Sequence, residues 1–222
     1  IAAEYADDCR LFRFSHSFEN DILAAARNMA KRYKCHAGHN QMLEQYALSI
    51  FDAARKFHGM GARERLLLQI AVTLHGCGKF ISIRNSNESS YNLIMSTEII
   101  GLSHLEREII ANVVRYNIRD FDYDTIQLET QIGEDGSGNL NRSSITILIA
   151  KLTAILRLAN SMDKTHKSKL ADCRMAIREG ELVITTGYTG DLALERASFE
   201  QKADFFEEIF GIRPVLKQKR RA

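Results

Sequence analysis

Apolar residues in this chain recur mostly at steps of three and four, the period of helices that bury one face. Ser17 reads as the cap of a helix that lines up Phe18, Ile22, Ala25, Ala26, Met29 and Tyr33. A second helix runs from about His39 to Phe57 through Met42, Leu43, Tyr46, Ala47, Ile50, Phe51 and Ala54, and Gly59 and Gly61 close it. A third, from about Arg63 to His75, carries Leu66, Leu67, Ile70, Ala71 and Leu74 and stops at Gly76 and Gly78. Ser103-His104-Leu105-Glu106 has the form of a capping box before Ile109, Ile110, Val113 and Val114. Ser143 to Asn160 is apolar on nearly every side, as a central buried helix would be, with Thr146, Thr153, Arg157 and Asn160 on one polar stripe. A charge on such a helix needs a partner, and Asp163 or an acid from another helix is expected to pair with Arg157. Beyond Cys173 the period becomes alternating. Two strands, Cys173–Arg178 and Leu182–Thr186, flank a turn at Glu179-Gly180, followed by a helix over about Ser198–Phe210 and a strand near Val215. The expected fold is mainly α, a helical domain over residues 17–170 with a small β-β-α-β subdomain over 171–222.

Composition sharpens this picture. Pro214 is the only proline, where average usage would give about eleven, which suits long uninterrupted helices. The most apolar run, Ile145 to Ala159, is too short to span a bilayer and contains Lys151 and Arg157, so no membrane partner is expected. Four scattered cysteines without CxxC spacing read as reduced thiols of a cytoplasmic protein. The chain opens on Ile1, and residues 1–16 read as the exit from a longer protein's preceding domain. Phosphate loops, nucleophile elbows and HExxH helices are absent. Asp120 to Asn141 is an acidic, glycine-containing loop. Its Asp135, Ser137 and Asn139 begin like a calcium loop, but Leu140 stands where glycine must turn the chain and Thr146 where a bidentate glutamate is required.

The histidines hold what chemistry remains. His39 opens one helix and His75 ends another, in Leu74-His75-Gly76-Cys77-Gly78-Lys79. A histidine in such a place is either a metal ligand or a buried residue satisfied by backbone. That string is similar to the His-Asp motif of HD-type metal phosphohydrolases. With Phe51-Asp52, Ser90-Tyr91-Asn92-Leu93-Ile94, Gly101-Leu102-Ser103, Val114-Arg115-Tyr116 and Leu156-Arg157-Leu158-Ala159-Asn160 in order, the chain resembles the C-terminal helical part of the exopolyphosphatase/guanosine pentaphosphate phosphatase (Ppx/GppA) family. The resemblance implies an HD-domain-like bundle whose hydrolytic site, with any magnesium it uses, lies in upstream actin-like domains. No catalytic residue and no cofactor is therefore expected in this chain. Metal-binding HD domains use a helix histidine, a His-Asp pair and a later aspartate. Here His39 and His75 are kept, but Gly76 and Asn160 replace the two carboxylates. Hard divalent ions need anionic oxygens, so these four positions read as vestigial and no metal is expected.

Charge points to a different role. Between Asn141 and Arg178 eight basic residues face two acids, although the whole chain carries only +2. Lys164, His166, Lys167 and Lys169 crowd behind the central helix. With Arg157 they are candidates for polyphosphate contact, because a polyanion needs charge more than fixed geometry. The segment is otherwise a solvated loop. The expected function is a non-catalytic module that contributes polyphosphate binding and dimerisation to a parent acting on polyphosphate or guanosine pentaphosphate, with no specific nucleic acid partner. The alternative is a free-standing metal-dependent HD phosphohydrolase acting on a nucleotide.

Overall fold

The structure, a computed structural model, describes residues 12–126, 128–130 and 141–219, with side chains from Phe18 onward. Among these residues eight helices precede or flank one three-stranded sheet, so the mainly α fold with a small α+β end is observed. Helix α1 spans Phe12–Arg32, and α2 Ala37–Ala53. A single turn, α3, follows at Arg55–His58, then α4 at Ala62–Leu74. Ser17 lies inside α1 and does not cap it, since no glycine or proline before Gly38 interrupts the helix. The expected second helix breaks at Ala54. The His58 ring holds that corner, donating from Nε2 to Phe51 O (2.8 Å) and accepting on Nδ1 from Met60 N (2.9 Å). A 3₁₀ turn at Cys77–Phe80 leads to α5, Ser86–Ser96. The two touch so closely that a Cβ on Gly78 would stand 2.0 Å from Ser86 O, which leaves room there for glycine alone. Helix α6, His104–Arg115, starts with the expected capping box: Glu106 N donates to Ser103 Oγ (3.2 Å), and Ser103 N to Glu106 Oε2 (2.8 Å).

Helix α7, Arg142–Ser161, is the hub against which α2, α4, α6 and the C-terminal helix pack. It is long and apolar enough to cross a membrane on length and composition alone. Most of it is buried within the bundle, which explains its character. Strands β1 (Arg174–Arg178) and β2 (Glu181–Thr186) form an antiparallel hairpin. Glu179 and Gly180 both take positive φ, as a two-residue turn matched to strand twist requires. Helix α8, Ala193–Phe210, then crosses to β3, Arg213–Gln218, which lies parallel to β2. Phe199 and Phe206 of α8 join the same buried cluster as Ile149 and Leu156 of α7, so the C-terminal unit is docked onto the bundle through helix-on-helix packing. Residues 131–140, with the partial calcium-loop pattern at Asp135, Ser137 and Asn139, lie outside the described residues. So do residues 1–11 of the expected exit segment and Arg220 and Arg221 of the basic tail.

Candidate functional site

Four histidines from three elements meet at one end of the bundle. His36 caps α2, its Nδ1 accepting from His39 N (3.0 Å), and His39 follows in the first helical turn. His75 sits just past α4, and His166 in the turn after α7, where His166 N bonds Asp163 O. The His166 ring stacks on His39, centroids 3.9 Å apart and planes within 23°, while His75 approaches His39 at 5.4 Å and His36 approaches His166 at 5.7 Å.

Hydrogen bonds fix the buried members. His39 Nδ1 meets Asp163 Oδ2 at 2.7 Å, and Asp163 Oδ1 accepts from Ser168 N (2.8 Å). His75 Nδ1 donates to Val72 O (2.7 Å), which leaves its Nε2 as an acceptor. Burial, with the like-signed neighbours His39, Lys79 and His166, lowers the His75 pKa to about 4, so its ring is neutral near neutrality. Burial and His39 also lower the His166 pKa from the ordinary imidazole value.

Carboxylates are scarce among the donors around this cluster. Gly76 offers no side chain, although a Cβ there would meet nothing within 4 Å. Asn160 is neutral, and Asp163 is committed to His39 and an amide. Among the described residues, the trio of ligand atoms drawn within 4.8 Å of one another lies elsewhere, at His104, Glu108 and Glu129. Asp163 was visible in the sequence as a potential partner of Arg157 and turns out to orient His39 instead.

Two cavities open on this cluster and share His39, Lys79 and His166. One, of about 280 Å³, is lined also by His36, His75 and Gly76. The other, of about 400 Å³, runs between the bundle and α8 past Asn117, Arg157, Asn160, Lys164, Gln201 and Lys202. The second holds four permanent cations and no carboxylate among its lining residues. Burial and the nearby charge of Arg157, with Lys164 adding and Asp120 opposing, lower the Lys202 pKa. Asn117 is buried, and its Oδ1 has no hydrogen-bond partner.

The expected lysine track is dispersed. Lys164 lines the larger cavity, whereas Lys167 is exposed and lines neither. Lys169 is withdrawn: its Nζ bonds Glu195 Oε2 at 3.0 Å and Asp191 O at 2.9 Å. Glu195, fully buried at the start of α8, also accepts from the Thr165 hydroxyl, so the segment is tied down and not a free loop. Arg157 reaches the cavity wall without an ion pair within 4 Å among the described residues, and Asp120 acts on it only at longer range. Arg157 donates from Nε to Tyr116 O (2.7 Å) and from Nη2 to Arg119 O, with its guanidinium 4.7 Å from the Phe205 centroid. The Tyr116 carbonyl sits at the negative end of α6 and helps to hold the guanidinium, with the longer-range charge of Asp120 beside it. Lys79 and Lys202 were missed. Lys79 stands in the quoted His75 string and could have been weighed for charge, but nothing local marks Lys202, whose place depends on how α8 docks.

A further cavity, of about 840 Å³, lies between α1 and α2 near Arg27, Asn40, Glu44 and Leu48. There Glu44 accepts from both Arg27 and Gln69, which satisfies the carboxylate.

A comparison with curated proteins finds no match. A family model described as Ppx/GppA phosphatase, domain III, matches residues 23–203, from the middle of α1 well into α8. That span covers the bundle, the histidine cluster and both walls of the cationic cleft, and it shows that the chain belongs to the Ppx/GppA phosphatase family, as its domain III.

Proposed function

We propose that this domain is a non-catalytic, polyphosphate-binding module of an exopolyphosphatase-like phosphohydrolase, and that it also contributes to dimerisation. The observation that carries the reading is the cleft between bundle and α8, where Lys79, Arg157, Lys164 and Lys202 converge without an opposing carboxylate in the lining. Cations gathered in a concave wall raise the local potential and concentrate polyanions. The amides of Asn117 and Asn160 supply hydrogen bonds that do not depend on charge. Carbonyl-bound Arg157 gives the wall a fixed shape, while the three lysines provide the adaptable contacts. We further propose that no magnesium or manganese ion is held at His39 and His75. The alternative of a metal-dependent HD phosphohydrolase would need the carboxylate that Gly76 lacks.

Polyphosphate titrated at two salt concentrations tests the binding. Affinity should fall linearly with salt on a log–log plot, and the triple change Lys79→Ala, Lys164→Ala and Lys202→Ala should flatten that slope by roughly two to three. Lys167→Ala should leave it unchanged, because that side chain lines neither cavity. Equal slopes for wild type and triple variant would remove the cleft as the binding site. Light scattering tests the association, which predicts a species of twice the 25.2 kDa chain mass.

A further inference from the structure

Away from the cleft, the start of α6 and the loop near Glu129 bring three metal-ligating side chains together. His104 and Glu108 are four residues apart on α6 and so share a face. His104 Nε2 stands 3.6 Å from Glu108 Oε1 and 3.9 Å from Glu129 Oε2, and the three ligand atoms lie within 4.8 Å of one another. Both separations exceed hydrogen-bond length. They approach the edges, about 3.3–3.6 Å, of a tetrahedron of N and O ligands around a zinc ion with bonds of about 2.0–2.2 Å.

Charge favours the same occupant. Glu108 is fully buried, and its carboxylate is held by three neutral donors: Glu129 N and Thr130 N (3.1 Å) on Oε1, and the Thr130 hydroxyl on Oε2 (2.5 Å). These fix its orientation, as outer-shell bonds fix a ligand, but they supply no positive charge. Among the described residues His104 is the basic side chain within 4 Å of it, and a second carboxylate, Glu129, lies beside the same imidazole. Two carboxylates facing one imidazole are compensated by a divalent cation better than by the ring alone. One nitrogen and two oxygens suit zinc or cobalt, and the exposure of His104 and Glu129 leaves a position open to water.

We propose that His104, Glu108 and Glu129 form a site for a zinc-class divalent cation. Binding requires one rearrangement. Arg107 Nη2 donates to His104 Nδ1 (3.2 Å), which places the neutral ring's proton on Nε2. The ion takes the Nε2 lone pair, the proton moves to Nδ1, and Arg107 retains Thr97 O (3.3 Å) as its acceptor.

Zinc titrated into the whole chain by calorimetry, with cobalt(II) absorption as a second readout, tests this. Wild type should bind one ion with a tetrahedral cobalt spectrum. His104→Ala and Glu129→Gln, both at exposed positions, should weaken binding at least about tenfold, the lower end for disturbing even an outer-shell partner. Arg107→Ala should tighten binding by freeing Nδ1. His166→Ala separates this site from the histidine cluster and should leave binding intact. Circular dichroism confirms that each variant is folded. Absence of zinc binding, binding unchanged in His104→Ala, or binding lost in His166→Ala would each overturn the assignment.

Discussion

Replacing Arg157 with methionine keeps most of the side chain's apolar stem and removes its charged fork, which makes it the most informative change in the cleft wall. The guanidinium donates to Tyr116 O and Arg119 O and lies over Phe205, and burial lowers its pKa against the opposing charge of Asp120. Hydrogen bonds to charged groups contribute about 1.5–3 kcal/mol each, and the aromatic contact about 0.5–2 kcal/mol. Against these stands the release of a costly buried charge, so the sum is an upper bound. Two carbonyls past α6 would also lose their donors, at about 1–3 kcal/mol each if water does not reach them. A net loss of about 3 kcal/mol is expected. For a chain of this size that lowers the melting temperature by about 6–12 °C. Thermal and urea melts measure it, and polyphosphate titration well below both transitions separates binding from stability. The folded variant should keep a salt slope close to that of wild type, because this guanidinium is already spent on carbonyls. Unchanged melting together with lost binding would refute the reasoning and make Arg157 a ligand contact first.

Acid should weaken the fold through His75. Its folded pKa, near 4, lies below the roughly 6.5 of an unfolded histidine, so its contribution is complete above pH 6.5. As pH falls toward 4 the unfolded chain takes up a proton that the native chain refuses, a loss of about 3 kcal/mol. Urea midpoints across that window should fall less steeply in His75→Gln, and parallel curves for the two proteins would show that His75 is not the sensor. Gly76→Asp restores the missing carboxylate at a position with open space for a side chain. In a His104→Ala background, which silences the proposed zinc-class site, manganese at about a hundred times its dissociation constant should then stabilise by about 2.7 kcal/mol. A melting shift of equal size with Gly76 still in place would mean that the native cluster already binds the ion.

The parts that local chemistry controls were legible along the chain. The capping box at Ser103, the alternation after Cys173, the turn at Glu179-Gly180 and the apolar α7 all depend on neighbours within a few residues, and all are observed. What could not be read was pairing at long range. Arg157 was expected to seek an acid, yet it found carbonyls forty residues away, since a helix end offers negative potential that leaves no mark in residue type. Lys169 looked like Lys164 and Lys167 in a basic run, but Glu195, 26 residues on, claims it alone. The family motif drew attention to Asn160 as a lost ligand and away from Asp163, whose carboxylate reaches His39 because α7 ends in a turn.

That turn also explains why the cationic cleft exists. Asp163 to Lys169 is fastened at one side to the first turn of α2 through His39, and at the other to the start of α8 through Glu195. Burial alone would raise the Glu195 pKa, but the bonds from Thr165 and Lys169 hold it below the usual carboxylate range, so the clasp stays charged at neutral pH. With α8 held in place, Gln201 and Lys202 face the wall that carries Lys79 and Arg157. The cations therefore belong to separate elements, and their convergence depends on docking and not on any one motif. Loosening the clasp should spread them apart before it unfolds either unit. In this family member Lys169, expected with Lys164 and Lys167 to meet a polyanion, instead helps to hold shut the joint that brings the other cations together.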